Sequence, residues 1–274
     1  MSGPVVTLVF PVYNQVALLR RALETLNGTA LRDFTVHVVD DGSEESVEGA
    51  VEQVRSKVSF PIRFDRLPRT GNSTVVVNWA CLRATTDIVA YMNSDIEFPD
   101  PEWLGSTLSC FDRFREETPY GVQEVGAVGI KQVFPPGSSW GGQVGHVGNR
   151  FRKDGTWEHL EEFVSEERST YREDGLVEGV TGCGLFTPTR IWREVGGFAI
   201  YPVYGWDDND YCLRMHMLGY RVVCQRQHPI YHVRSASYGT PRNPLYAENK
   251  DLVRMRFGPV IDRLIAERGA PCAT

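Results

Sequence analysis

Three carboxylates crowd one short stretch of the chain, Gly205-Trp206-Asp207-Asp208-Asn209-Asp210-Tyr211-Cys212-Leu213-Arg214. Neighbouring carboxylates raise one another's proton affinity, which is how a protein makes a usable general base. The same acids also suit the first turn of a helix, where the dipole favours negative charge, so base chemistry and helix start both account for them. Asp95 ends the polar triplet Asn93-Ser94-Asp95, which follows an apolar run. One carboxylate together with diphosphate oxygens and water commonly holds Mg²⁺ or Mn²⁺, and a plain turn is the competing reading. Asp40 opens Asp40-Asp41-Gly42-Ser43. An ionised acceptor there suits a nucleobase N–H or a ribose hydroxyl, whereas Asp41 and Ser43 are enough for a capped turn. His228 and His232 are four apart, but Pro229 lies between them and rules out a helical zinc pair. Gly141, Gly142, Gly145 and Gly148 match neither a phosphate-binding P-loop nor a dinucleotide fingerprint.

These residues need a scaffold that brings them together. Apolar β-type runs (Val5 to Pro11, Thr35 to Asp40, Ile62 to Leu67, Ile88 to Met92) alternate with amphipathic helices, the signature of βαβ units and a parallel sheet. Val16, Leu19, Ala22, Leu23 and Leu26 give the first helix an apolar face, and Val47, Val51, Val54 and Val58 do so for the second. Ligands of such sheets bind beyond the carboxyl ends of the strands, so Pro11-Val12-Tyr13-Asn14, Asp40-Asp41-Gly42-Ser43 and Asn93-Ser94-Asp95 are expected to converge. Beyond Pro101 we expect a helix to about Glu117 and a strand from Val125 to Ile130. Residues 132 to 174 carry prolines, glycines, Trp140 and Trp157 with little periodicity, the character of a functional loop or lid. Helices are expected over Thr187 to Val195 and Asp207 to Leu218, strands over Arg221 to Cys224 and Pro229 to Val233, and a helical tail from Asn243 to Glu267.

The 274 residues, 42% hydrophobic and 23% charged, are enough for one compact domain with a substantial core. A net charge of −6 without a basic face argues against a nucleic-acid partner. No run approaches 18 apolar residues, and the start lacks signal-peptide character, so we expect no transmembrane segment and a cytoplasmic protein, soluble or peripherally membrane-associated. The six cysteines lack paired spacing and are expected to be buried free thiols.

Taken in order, the clusters resemble the inverting family 2 glycosyltransferases of the GT-A fold, to about Ser237. Val9-Phe10-Pro11-Val12-Tyr13-Asn14 is similar to that family's first strand and loop, and Val38-Val39-Asp40-Asp41-Gly42-Ser43 to its nucleotide-contacting second strand. Asn78, Ala84 and Asn93-Ser94-Asp95 resemble the approach to its metal motif. Glu194-Val195-Gly196-Gly197-Phe198, Asp207 to Asp210, Leu213-Arg214 and Gly219-Tyr220-Arg221 resemble its acceptor-side block. Asn93 stands where the family's first metal-motif acid is usual, Asp207 where Glu is common, and Asn72 where glycine is usual.

The resemblance implies an α/β GT-A fold, Rossmann-like, with a mostly parallel central sheet flanked by helices. It implies a domain over residues 1–240, with a nucleotide-sugar half (1–98) and an acceptor half (99–240), followed by a helical tail (241–274). It further implies a nucleoside-diphosphate sugar donor, a glycan, glycolipid or protein acceptor, inversion without a covalent intermediate, and a divalent cofactor, Mn²⁺ or Mg²⁺. Asp208 would be the base with Asp207 beside it, Asp95 the metal ligand and His232 a further one. Pro11, Tyr13, Asn14, Asp40, Asn72, Asn78, Asn93, Ser94, Gly182 and Trp206 would line the donor, Trp206 either offering a flat face to a sugar ring or packing in the core. The loop around Trp140 and Gly141-Gly142 would close over it. A nucleotidyltransferase would need a Gly-rich basic loop where Tyr13-Asn14-Gln15 stands, and a non-catalytic binding module has no use for Asp95, Asp208 and His232 together.

Overall fold

A computed structural model describes residues 5–201, 205–233 and 246–269. Its centre is a ten-stranded mixed sheet built around β1 (Val6–Val12), β2 (Phe34–Asp40), β3 (Ile62–Arg66) and β4 (Ile88–Tyr91), which pair in parallel in the order β4-β1-β2-β3. Strands buried on both faces read as continuous apolar runs rather than alternating ones, and β1 is buried along nearly all its length. The helices α1 (Val16–Leu26), α2 (Val47–Arg55) and α3 (Ser73–Cys81) connect these strands. In α1 the expected stripe is what packs: Leu19, Ala22, Leu23 and Leu26 are buried, while Arg20 and Arg21 face outward. From β1 the chain passes to β2 on one side and reaches β4 on the other. That change of direction opens a crevice at the carboxyl ends of β1 and β4.

Past the short β5 (Ile96–Glu97) and α4 (Trp103–Arg113), residues expected to continue the helix instead turn back in a hairpin, β6 (Glu116–Thr118) with β7 (Gly121–Gln123). Its inward side is not apolar, so nothing holds Glu116 and Glu117 in a helix packed on the core. The central strand β8 (Val125–Val133) is completely buried. The segment read as irregular contains β9 (Val144–His146), paired with β8, and a separate hairpin of β10 (Asn149–Phe151) with β11 (Trp157–His159). The short β12 (Gly175–Leu176) lies at the sheet edge, and β13 (Leu185–Pro188) runs antiparallel between β4 and β8. Pro188 is extended, so α5 starts only at Thr189 and ends at Glu194.

The carboxylate cluster opens α6 (Asp207–Met217). The two strands expected after it are one, β14 (Arg221–His232), parallel to β8 with a register shift between Gln225 and Ile230. That irregularity accommodates Pro229, which has no N–H to give a ladder. The helix α7 (Tyr246–Gly269) packs Val253, Phe257, Ile261 and Leu264 against Phe151, Trp206 and Leu213, so the expected tail is seated on α6 and the β10–β11 hairpin. Asn243 and the expected boundary at residue 240 lie outside the described residues, as does Cys272. The other five cysteines are buried free thiols. No helix among the described residues is long and apolar enough to cross a membrane.

Candidate functional site

A cavity of about 490 Å³ lies over the crevice and gathers Pro11, Tyr13, Asn93, Ser94, Asp95, Gly182, Trp206, Asp207, Asp208 and His232 into one space. Asn14, Asp40, Asn72 and Asn78 do not line it. Each has other work. Asn14, left-handed like Gln15, straps the loop after β1 to the one after β2: its Oδ1 accepts from the backbone N–H of Glu44 (2.9 Å) and its own N–H donates to Ser43 Oγ (2.7 Å). Asn72 caps α3 by accepting from Thr74 N–H (2.9 Å), and Asn78 pins the backbone of Phe198 from both sides.

Beside the loop after β3, the two aspartates of the β2 loop have separate tasks. Asp40 is fully buried, accepts from Ser43 N–H (2.8 Å) and pairs with Arg66 (3.1 Å), so it holds the turn. Asp41 is the residue that reaches the cavity. Its carboxylate accepts from the N–H groups of Thr70 (2.6 Å) and Gly71 (3.2 Å) and pairs with Arg69, whose guanidinium lies 3.5 Å over the Tyr13 ring. Gly42 makes this possible, because its φ of +69° is left-handed and a Cβ there would come within 2.7 Å of Arg69 N. Asp41 and Arg69 escape sequence reading because the pair forms only when β2 and the loop after β3 meet.

In the middle of the cavity His232 Nε2 lies 3.2 Å from Asp95 Oδ1, with Asn93 Nδ2 at 3.4 Å from the same nitrogen. His232 is oriented from behind. Gln132 donates from Nε2 to Cys183 O (2.7 Å), which turns its Oε1 to the His232 Nδ1–H at 2.7 Å and directs Nε2 at Asp95. Burial disfavours charge on this imidazole, yet Cys183 and Asp95 outweigh it and push the ring up to about 10. A site that so favours positive charge, built from one hard oxygen donor and one oriented imidazole, fits a divalent cation whose remaining ligands come from a diphosphate and water.

The carboxylates enter from α6. Trp206 precedes them in the left-handed region at φ 77°, a strain of about 1–3 kcal/mol for a non-glycine residue. Burial of its indole among Phe151, Leu213 and α7 holds it there. Asp207, 6% exposed, accepts from Thr74 Oγ1 (3.0 Å). Burial and the charge of Asp208 push it up to about 7. The half-buried Asp208 accepts from Gly182 N–H at Oδ2 (2.9 Å), and from Asn209 N–H (2.7 Å) and Nδ2 (2.9 Å) at Oδ1. Burial raises its pKa too, against the pull of these donors. Gly182 fits only without a side chain, since a Cβ would lie 2.8 Å from the Tyr91 ring. Asp210 takes no part: fully buried, it binds Arg214 (2.7 Å), Arg256 (2.9 Å) and Tyr201 OH (2.7 Å), tying α6 to α7.

Trp157, His159 and Thr181 close the wall beyond the carboxylates. Of these, sequence reading noticed only Trp157, as part of an irregular stretch. Trp140, expected over the donor, packs instead with Phe134 (centroids 5.4 Å) and Phe163 (5.6 Å) outside the cavity, because three aromatic rings bury one another there.

A model of glycosyl transferase family 2 matches residues 7–174. The chain is 27% identical over 261 residues to the uncharacterised protein y4gI of Sinorhizobium fredii, covering 89% of this chain and 26% of that one. It is 27% identical over 248 residues to the O-antigen biosynthesis protein RfbC of Myxococcus xanthus, covering 85% and 18%. It thus spans about a quarter or less of these relatives' length. Among solved structures, the mannosyltransferase PcManGT of Pyrobaculum calidifontis, in complex with GDP-Man and Mn²⁺, superposes with a TM-score of 0.59 at 18% identity, covering 99% of this chain and 66% of that one. S. aureus TarS 1-349 in complex with UDP-GlcNAc gives 0.63 at 16%, covering 96% and 70%. At such identities the likeness is one of fold. A central sheet flanked by helices in the GT-A arrangement and a family match over more than half its length mean that this chain belongs to glycosyl transferase family 2.

Proposed function

We propose that this protein moves a glycosyl group from a nucleoside-diphosphate sugar to an acceptor hydroxyl with inversion, Asp208 serving as general base and Asp95 and His232 holding Mn²⁺ or Mg²⁺. The observation that carries this reading is that one cavity is lined together by the oriented Asp95–His232 pair, the Asp207–Asp208 pair and Asp41. The presence of GDP-Man with Mn²⁺ and of UDP-GlcNAc in structures of like fold supports the donor class.

Asp41 accepts a nucleobase N–H, with the Tyr13 and Arg69 faces beside it. The metal, when bound, neutralises charge developing on the diphosphate leaving group. Asp208 takes the proton from the attacking hydroxyl as the new bond forms on the face opposite the leaving group. The Gly182 and Asn209 donors fix its two oxygens, so it meets the hydroxyl without reorganising. Asp207, held by Thr74, adds a like charge that raises the proton affinity of the pair.

The test incubates the protein with UDP-glucose, UDP-N-acetylglucosamine and GDP-mannose, with Mn²⁺ or with chelator, and follows nucleoside diphosphate release and product configuration by NMR. We expect release that requires metal and a product of opposite anomeric configuration. Release unaffected by chelator contradicts the metal, and retained configuration contradicts the base.

A further inference from the structure

We infer that the β10–β11 hairpin, backed by the buried Trp206, forms a subsite for a sugar ring, so that the acceptor is a carbohydrate; the inference rests on the glycosyl transfer proposed above. The hairpin is latched to the residues that hold the base. Asn149 of β10 bridges to Gly179 and donates from Nδ2 to Asn209 Oδ1 (3.1 Å), and Asn209 in turn donates to Asp208. Two residues past Gly179 the chain reaches Thr181, and at Gly182 it meets the other oxygen of Asp208. Asp41 and Arg69, by contrast, belong to the loops after β2 and β3. A molecule that offers its hydroxyl to Asp208 from the side away from the nucleotide therefore rests on Trp157 and His159.

Two features of that wall suit a pyranose. The half-buried Trp157 ring stands at 90° to the buried Trp206 ring with centroids 4.5 Å apart, so Trp206 holds Trp157 in place and Trp157 alone offers an apolar surface that matches the C–H face of a sugar. The histidines add a donor of fixed direction. Thr181 N–H donates to His146 Nε2 (3.4 Å), so neutral His146 carries its proton on Nδ1, which lies 3.3 Å from His159 Nδ1. His159 accepts there and carries its own proton on Nε2, a donor that hydroxyl oxygens can accept. Charge points the same way. Among the described residues lining the cavity, Arg69 alone is a Lys or Arg, and it is paired with Asp41, whereas Asp95, Asp207 and Asp208 are carboxylates. An anionic acceptor such as a lipid phosphate meets no unpaired Lys or Arg among the described residues of this wall, and an uncharged sugar needs none.

The test uses the whole chain with Mn²⁺, the nucleotide sugar it consumes fastest, and three acceptor classes: p-nitrophenyl pyranosides (gluco, galacto, manno and N-acetylglucosamine), farnesyl phosphate, and a peptide containing serine and threonine. We expect transfer to a pyranoside, with an acceptor KM raised about tenfold or more by Trp157→Ala and about fivefold by His159→Ala, and with nucleoside diphosphate affinity within about twofold of the parent by calorimetry. Trp157→Phe keeps an aromatic face and should recover most of the acceptor affinity, which separates loss of the subsite from loss of the hairpin. If Trp157→Ala does not melt cooperatively, Trp157→Phe and His159→Ala decide the matter. Transfer only to farnesyl phosphate or to the peptide, or a pyranoside KM unchanged by both His159→Ala and Trp157→Ala, overturns the subsite and leaves glycosyl transfer standing. If the parent consumes none of the nucleotide sugars, the underlying reading falls instead.

Discussion

The proposed nucleotide end and the proposed base end of the cavity are built on different principles. At the nucleotide end each residue sits within a few positions of the end of a parallel strand, and neighbouring loops hold one another, as Asn14 holds Glu44 and Asp41 holds Thr70. At the base end most of the hold is long-range. Asp208 is oriented by Gly182 from a loop before β13, by Asn209, and through Asn209 by Asn149 of a separate hairpin, while α7 keeps Trp206 in its strained conformation. The family model follows the same divide: it reaches residue 174 and stops before Gly182 and Asp208. In the proposed reading, donor binding is thus carried by compact motifs and placement of the base by long-range packing.

The proposed metal would join the two ends, so its loss should have the largest effect. Asp95→Ala is expected to lower turnover by about 10² or more, since several kcal/mol of charge stabilisation is lost, with folding retained by circular dichroism. His232→Ala should raise the Mn²⁺ concentration needed for half activity, and an unchanged value would remove His232 from the ligand set. At the nucleotide end, Asp41→Ala should weaken nucleoside diphosphate binding about tenfold or more by calorimetry. Asp40→Ala should instead cost about 1–3 kcal/mol of stability, because a buried N–H loses its acceptor, with nucleotide affinity nearly unchanged. The opposite outcome would return donor recognition to Asp40.

The smallest effect belongs to Asp207, the neighbour of the proposed base. The Asp207–Asp208 pair binds protons more tightly in the folded chain than in the unfolded one. Stability from this source is therefore full below the ordinary carboxylate range and falls as pH rises toward about 7. Activity runs the other way, since the base must be ionised, so kcat/KM should rise with pH on an acidic limb lying above the ordinary carboxylate range. Asp207→Asn removes the like charge and should move that limb to lower pH with a modest loss of turnover. A limb that does not move would show that the two carboxylates titrate independently.

The sequence is legible where period and strand ends decide the structure. The apolar stripe of α1, the convergence of the loops after β1, β2 and β4, and α6 beginning at Asp207 all follow from local pattern. Asp40 and Asp41 are different, because adjacent residues point to opposite sides of a turn and only the loop carrying Arg69 determines which one faces the ligand. Trp140 and Trp157 occupy similarly irregular surroundings, yet one finds Phe134 and Phe163 and the other finds Trp206, choices made by tertiary contacts. Asp207 and Asp210 lie three apart on α6, yet Asp210 pairs with Arg214 while Asp207 accepts from Thr74, a split that only tertiary contacts decide.

The most direct test of the division between donor binding and base is to measure single-turnover transfer and nucleoside diphosphate affinity side by side in Asp208→Asn. This variant keeps the size of the side chain and most of its hydrogen bonding but cannot take a proton. Turnover should fall by about 10² or more while the affinity stays at the parent's value. Near-parental turnover in Asp208→Asn, with the loss appearing in Asp207→Asn instead, would contradict the account and move the base to Asp207.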